Sequence, residues 1–594
     1  MTNQEIATIL RTIGEYLAMQ DVPFKPRAYE KVAETIEALE EDVDVIYRKG
    51  GLKALEELPG IGKGIAEHIE ELLKTGRLKY YEELKKKTPV DLDILTRVEG
   101  LGPKKIKALY QKLHVRNLAD LERVAKAGKI KKIEGFGSKS EENILRGIGF
   151  VKSSGGRSIL GFVMPEIRAL EERLRNIKEV ERVIVAGSVR RRKETIGDVD
   201  ILAISKKPNA VMDFFVHMPD VVHVIAHGET KSSIKLKSGL NADLRVVPAE
   251  SYGAALNYFT GSKDHNVALR ELAIKHGWKL NEYGLFERQG KGDSPRSSSG
   301  GAGKRQEWKQ VAGKTEEEIY EKLGLRYIEP EMREMTGELE VARVNKLPKL
   351  IGYQDLKGDL QVQTNWTDGN ASIEEMAKAA MTVGLEYIVI TDHTKRLAMT
   401  HGLDARRIVQ QMKEIDKLNA RYKLHTTRFT ILKGTECDIL KDGSLDLPDD
   451  ILKQLDVVGV SVHSFFNLPR EEQTKRIIKA MRNPHADILF HPTGRLIQRR
   501  EAYDVDMDEI IRVAKETGTI LEIDAYPDRL DLKDEYIRKA VAAGVKLSID
   551  SDAHAPQHFS FLEHGIAQAR RGWSEKKDII NACPVEKMLG FLKK

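Results

Sequence analysis

Gly187-Ser188-Val189-Arg190-Arg191-Arg192-Lys193-Glu194-Thr195-Ile196-Gly197-Asp198-Val199-Asp200 is the stretch on which the reading of this chain turns. Val183-Ile184-Val185-Ala186 before it reads as a buried strand, and Ile201-Leu202-Ala203-Ile204 after it reads as the next. Side chains alternate faces along a strand, so Asp198 and Asp200 project to the same side. Carboxylates held that close repel each other unless something doubly positive sits between them. One strand earlier, a Gly-Ser turn offers backbone N–H groups and a hydroxyl to a phosphate. Arg190, Arg191 and Arg192 add charge beside it. A lone Asp-x-Asp is usually a solvated turn; here it follows Gly-Ser and lies inside apolar strand sequence, which favours a metal site. A third carboxylate is expected on a neighbouring strand, and Leu240-Asn241-Ala242-Asp243-Leu244-Arg245-Val246-Val247 supplies Asp243. Metal-binding carboxylates beside a triphosphate cradle are the parts of a nucleotidyl transferase.

Working outward, 594 residues predict several domains, and a hydrophobic fraction of 41% suffices for ordinary cores. The sequence contains no apolar run of 18 residues, so no membrane span is expected. The first residues carry acid and begin an amphipathic pattern, unlike a signal peptide. Two cysteines, Cys437 and Cys583, cannot be the framework of this fold, and the reading expects a reducing, cytoplasmic, nucleoid-associated protein. A net charge of +6 argues only weakly for nucleic acid. Its distribution says more, because lysines crowd Lys104-Lys105-Ile106-Lys107 and Lys129-Ile130-Lys131-Lys132.

The first 150 residues read as helical with short breaks. Three breaks share an apolar-x-Gly-apolar-Gly pattern: Leu58-Pro59-Gly60-Ile61-Gly62-Lys63-Gly64, Val98-Glu99-Gly100-Leu101-Gly102-Pro103-Lys104-Lys105, and Ile133-Glu134-Gly135-Phe136-Gly137. Glycines there allow a tight hairpin between two helices. The hairpin's N–H groups can hold a phosphate without reading a base. One copy is as well explained by a helix C-cap; three copies, two followed by lysines, are not. This is similar to the helix-hairpin-helix motif, a sequence-independent grip on the DNA backbone.

Strands and helices alternate over 151–255, followed by a smaller α+β unit at 256–335. Within that unit, Gly290–Lys304 is low-complexity sequence to which no chemistry is assigned. From Tyr353 onward βα alternation is regular, with strands expected at Tyr387–Thr391, Ile431–Thr435, Val457–Val460, Ile488–His491, Leu521–Ala525 and Val545–Ile549. That pattern predicts an α/β barrel-like domain.

Together with Tyr258-Phe259-Thr260-Gly261-Ser262, these motifs resemble the bacterial and archaeal family X DNA polymerases that carry a C-terminal PHP (polymerase and histidinol phosphatase) domain. The resemblance covers essentially the whole chain. It implies a multidomain protein: an all-α lyase-like helix-hairpin-helix domain at 1–88, fingers at 89–150, an α+β nucleotidyltransferase palm at 151–255, a thumb at 256–335, a linker at 336–352, and a distorted α/β barrel, the PHP metallo-domain, at 353–594. It implies a monomer that fills short gaps in nicked or gapped DNA from deoxynucleoside triphosphates.

Residue by residue, the resemblance implies that Asp198, Asp200 and Asp243 hold two Mg²⁺ ions. Gly187, Ser188, Arg191 and Gly197 would contact the triphosphate, and Tyr258, Phe259 and Gly261 would pack the sugar. Asn266 would touch the incoming nucleotide and Arg270 the templating strand. Lys25, Tyr29 and Lys63 would hold a 5′-phosphate at a gap. For the PHP domain it implies Asp368, His393, Glu436, His463, His491, Asp552 and His554 as ligands of Zn²⁺ or Mn²⁺, in a centre that cleaves phosphodiesters as a 3′–5′ exonuclease or abasic-site endonuclease.

Two positions depart from the family pattern. Where members with deoxyribose phosphate lyase activity carry a Schiff-base lysine, this chain has His68, and an imidazole forms no imine. Where the PHP pattern opens Asp-x-His-x-His, this chain reads Asp359-Leu360-Gln361-Val362-Gln363. An amide carbonyl is a weaker ligand for zinc or manganese than imidazole. Two rival readings stay open on the residues alone: a DNA end-binding scaffold whose nuclease site has decayed, and a nucleotidyl transferase acting on a substrate other than DNA.

Overall fold

The computed structural model describes residues 1, 3–37, 39, 42–96, 98, 101–153, 156–289, 308–397, 400–424 and 429–593. The chain divides into two compact units, Met1–Pro165 together with Lys349–Lys594, and Glu166–Pro348.

The first 153 residues are helical. Helices α1 (Asn3–Met19) and α2 (Lys25–Glu37) pack face to face, and Ile6, Leu10, Ile13 and Leu17 line the inner stripe of α1, all buried. Each such side chain contributes about 1.5–3 kcal/mol on burial. Helix α3 (Lys63–Thr75) buries Ala66, Ile69 and Leu72 and stops at Gly76, whose left-handed φ of 69° suits glycine. Helix α4 (Pro103–Leu113) opens with Pro103, where the missing N–H costs nothing, and buries Ile106 and Leu109. Helix α5 (Ser138–Ser153) follows the third hairpin.

In the second unit a five-stranded sheet is built from β1 (Val180–Val185), β2 (Asp198–Ser205), β3 (Val221–His227), β4 (Lys231–Leu236) and β5 (Asn241–Val246), in the order β1-β2-β5-β4-β3. Only β2 and β5 are parallel, and their register sets Asp200 opposite Asp243 and Asp198 opposite Asn241. Between β1 and β2 lies the four-residue helix α6 (Gly187–Arg190). Helices α7 (Tyr252–Thr260) and α8 (Lys263–Lys275) follow, then a three-stranded antiparallel sheet of β6 (Trp278–Asn281), β7 (Gly284–Arg288) and β8 (Trp308–Ala312). Helices α9 (Glu316–Lys322) and α10 (Glu338–Arg343) complete the unit. A stretch expected to be linker thus begins as structure: Glu338 is fully buried and its carboxylate pairs with His265 Nδ1 at 2.8 Å.

The C-terminal domain is a barrel of parallel strands in chain order: β9 (Gly358–Val362), β10 (Tyr387–Ile390), β11 (Thr430–Asp438), β12 (Val457–Ser461), β13 (Ile488–Leu489), β14 (Ile520–Asp524) and β15 (Leu547–Asp550). A bridge between Val362 and Ala553 joins first strand to last. Strands buried on both faces read as continuous apolar runs, which is why they are legible in sequence. Strand β13 is shorter than its apolar run predicts: the chain leaves it before His491, which sits at φ +30°.

Candidate polymerase and metal centres

Asp198 and Asp200 leave β2 on one face, and Asp243 stands beside Asp200 on β5. Burial, with Asp198 and Asp243 as neighbours, pushes the Asp200 carboxyl up to about 6. Three carboxylates converging with this mutual repulsion fit a doubly charged cation. One amine shares the cluster: Lys231 Nζ, on β4, lies 3.1 Å from Asp243 Oδ2. Strand periodicity alone does not single out Lys231; pairing β4 with β5 as a hairpin does.

The Gly-Ser turn sits against this cluster. Gly187 has φ +62°, and a Cβ added there would lie 3.2 Å from Asp200 Cγ, with the Oδ2 closer still. Ser188 lies in α6 and Gly197 immediately precedes β2. The three arginines do not act alike. Arg190 turns inward, donating to Thr260 Oγ1 at 2.8 Å and Glu316 Oε2 at 2.6 Å. Its charge is paired with the buried Glu316 carboxylate. Arg191 Nε donates to Glu334 Oε1 at 3.0 Å and its Nη1 to the Thr260 carbonyl.

Gly261, φ +71°, follows α7; a Cβ there would come within 3.1 Å of Arg191 Nη1. The rings of Tyr258 and Phe259 meet edge-on at 5.1 Å, with the Arg245 guanidinium 4.5 Å over Phe259. Asn266 donates from its amide to the Tyr258 carbonyl at 2.6 Å, and Arg270 Nε donates to the Asn266 carbonyl at 3.2 Å. Both side chains brace the backbone around the turn between α7 and α8.

In the helical region, Gly60 (φ +77°) and Gly135 (φ +86°) satisfy hairpin geometry. Gly62 and Gly102 have ordinary extended backbones. A Cβ at Gly62, Gly64, Gly102 or Gly137 would meet nothing described within 4 Å. The fold does not require glycine at Gly62 or Gly102. Lys25, Lys63, Lys104 and Lys105 are exposed around these turns. Gly100 and Gly290–Lys304 lie outside the described residues. Tyr29 is largely buried, and its hydroxyl meets His68 Nδ1 at 2.9 Å. His68 also stacks on Tyr80, ring centroids 5.0 Å apart.

At the C-terminal ends of the barrel strands the expected ligands gather, the usual location for barrel sites. Donor atoms of Asp368, His393 and His554 lie within 4.8 Å of one another, as do those of His393, Glu436 and His463. Glu436 is central: His463 Nε2 and His491 Nε2 reach its Oε1 at 3.0 and 2.8 Å, and His393 Nδ1 its Oε2 at 3.3 Å. Burial alone would raise the Glu436 carboxyl; His393 and His463 hold it well below the usual carboxylate range. Asp552 is drawn instead to Arg529, whose Nε lies 3.5 Å from its Oδ2 and 3.4 Å from Asp524 Oδ2. His491 and Asp552 both sit at positive φ, +30° and +49°. Strain of this kind is tolerated where surroundings demand it, commonly at binding sites.

These residues fit a transition-metal cation. Asp368 Oδ1, His491 Nδ1 and Asp552 Oδ1 are buried without a hydrogen-bond partner among the described residues, and the donors are the imidazole and carboxylate groups such ions prefer. Both glutamines are fully buried. Gln363 Nε2 donates to Glu436 Oε2 at 2.9 Å, and neither amide atom of Gln361 finds a partner among the described residues.

Family models match along the chain: a helix-hairpin-helix domain over 1–78, a SAM-like helix-hairpin-helix tandem over 92–149, a DNA polymerase beta thumb over 255–334 and a PHP domain over 359–583. The DNA polymerase/3′-5′ exonuclease PolX of Bacillus subtilis is 38% identical over 597 residues, covering 100% of both chains. DNA polymerase lambda of Arabidopsis thaliana is 28% identical over 47% of this chain and 54% of its own. A probable phosphatase of Thermoanaerobacter matches at 28% identity over 38% of this chain and 88% of its own. With the aspartate triad, the hairpins and the barrel centre in place, full-length similarity to PolX means that the chain belongs to the family X DNA polymerases with a C-terminal PHP domain and is a DNA-directed DNA polymerase.

Proposed function

We propose that this polymerase fills short gaps during DNA repair, and that its PHP centre shortens 3′ ends. The observation that carries the first part is the register of β2 on β5, which sets Asp200 against Asp243 beside the Gly187 turn. Divalent ions bound by Asp198, Asp200 and Asp243, Mg²⁺ in this reading, would lower the pKa of a primer 3′-hydroxyl and neutralise the leaving pyrophosphate. The chain's own groups do the positioning. Ser188, Gly197 and the Gly187 turn face the triphosphate, and Arg191 supplies charge to it. Tyr258, Phe259 and Gly261 form the wall against the sugar, leaving little room for a 2′-hydroxyl. Lysines and open glycine turns of the helical region grip backbone phosphates without reading sequence.

For the PHP centre, Asp368, His393, Glu436, His463, His491, Asp552 and His554 would hold Zn²⁺ or Mn²⁺, which would supply Lewis-acid activation of water for phosphodiester cleavage. Buried Glu436 keeps its charge at neutral pH and orients three imidazoles around it. The reading takes the protein to act as a monomer. No helix among the described residues is long and apolar enough to cross a membrane.

A labelled primer on a one-nucleotide gap with a 5′-phosphate tests both parts. With Mg²⁺ and deoxynucleotides, templated extension is expected, lost in Asp243→Ala while DNA binding persists. With Mn²⁺ and no nucleotide, primer shortening is expected. Extension without shortening would mean that Gln361 and Gln363 mark a nuclease that has decayed.

A further inference from the structure

We infer that Glu334 occupies the place of the incoming triphosphate and sets the affinity of the polymerase site for nucleotide. The inference rests on the assignment of Arg191 to the triphosphate.

Two of the four cations that follow the Gly-Ser turn, Arg191 and Lys193, converge on this carboxylate. Arg191 Nε lies 3.0 Å from Glu334 Oε1, and Lys193 Nζ lies 3.6 Å from Oε2. The two oxygens are divided between two cations, as two phosphate oxygens would be. The pair is largely shielded: the Arg191 and Glu334 side chains retain 14% and 21% of their accessible surface. A second polyanion cannot join Glu334 there without like-charge repulsion, so phosphate and carboxylate compete.

Glu334 is delivered by anchors on both sides that do not depend on its own side chain. The preceding Arg333 is fully buried, donating to Glu316 Oε1 at 2.6 Å, and its carbonyl accepts from the Ser262 N–H at 3.1 Å. On the other side, Met335 N–H and Thr336 N–H donate to the two oxygens of Glu338 at 2.9 and 2.7 Å. The backbone that carries Glu334 is thus pinned at the start of α8, while its side chain reaches Arg191. Such a carboxylate can swing away when a stronger anion arrives, without unfolding its support.

Glu334 is a positioning residue acting through Arg191, and the test separates competition from simple structure. Glu334→Gln keeps the shape and removes the charge. The KM for deoxynucleotide on gapped DNA should fall about two- to fivefold, the range of a partly exposed ion pair, with kcat little changed. Inorganic tripolyphosphate in Mg²⁺ should inhibit the variant at correspondingly lower concentration, and Glu334→Asp should restore the wild-type KM. Arg191→Ala, measured alongside, should raise both constants. If Arg191→Ala leaves them unmoved, the assignment of Arg191 fails and the inference with it. If Arg191→Ala weakens binding but Glu334→Gln weakens it too, or leaves it unchanged, Glu334 does not compete with nucleotide and the inference alone is overturned.

Discussion

Gly187 stands so close to Asp200 that a methyl group on its Cα would lie 3.2 Å from the Asp200 carboxyl carbon and nearer still to Oδ2. The turn that would cradle the triphosphate and a carboxylate that would hold metal are therefore one packed object. Gly187 also needs φ +62°, a region costing an alanine about 1–2 kcal/mol. Gly187→Ala should displace Asp200 and cut templated incorporation by about 100-fold, the usual cost of a misplaced catalytic group. The melting temperature should move by only a few degrees, consistent with that strain. Single-turnover incorporation and thermal melting, measured on the same preparation, check both numbers.

Glu316 lies between Arg190 and Arg333, at 2.6 Å from each. Burial would raise its carboxyl, but Arg333 and Arg190 together hold it down to about 2. Its ordinary value is 4.5, so the folded state prefers the charged form. This contribution is complete above pH 4.5 and is lost as pH falls toward 2. Linkage puts it at about 3 kcal/mol. Glu316→Gln leaves two arginines without their shared anion, and should destabilise the unit by about 3–5 kcal/mol at neutral pH. It should also flatten the acid limb of the stability curve between pH 4.5 and 2. Urea melts of wild type and variant across that range measure it; parallel curves would contradict the assignment.

The features legible in sequence are those fixed by local periodicity. Alternation along β2 gives Asp198 and Asp200 a common face, and apolar runs bounded by turns give the barrel strands. Because barrel ligands follow strand ends, the order His393, Glu436, His463, His491, Asp552 is legible along the chain itself. What is hidden depends on partners distant in the chain. Three consecutive arginines look equivalent, yet Arg190 finds Glu316 and Arg191 finds Glu334, 126 and 143 residues away. Lys231 reaches Asp243 only through strand pairing, and Arg529, after β14, claims Asp552, after β15. The Tyr29 hydroxyl meets His68, a neighbour 39 residues away brought up by helix packing.

Glu436 ties three histidines together, so removing one should disable the PHP centre without touching the palm. His463→Ala deletes contacts to Glu436 Oε1 at 3.0 Å and to Asp438 at 3.5 Å. Mn²⁺-dependent primer shortening should disappear while templated extension stays within about twofold, since the two centres belong to separate units and share no residue. Mn²⁺ at 100 times its dissociation constant should stabilise the wild-type barrel by about 2.7 kcal/mol, and the variant by much less at that concentration. Thermal melting with and without Mn²⁺ reports this even if Gln361 and Gln363 have silenced cleavage.

Gly102 offers a test of the phosphate grip proposed for the helical hairpins. Its backbone is extended, a side chain there would meet nothing described, and Lys104 and Lys105 follow on α4. Contacts of this kind go to phosphates, and affinity for duplex falls with salt by about 0.9 logarithmic units per phosphate neutralised. Replacing Lys104 and Lys105 together by alanine should reduce the slope of log affinity against log salt by about two. Gly102→Val should weaken binding at every salt concentration while leaving that slope nearly intact, because it blocks approach without removing charge. Titrations of a labelled gapped duplex from low to moderate salt separate the two effects. An unchanged slope in the double lysine variant would place the DNA elsewhere on the helical domain.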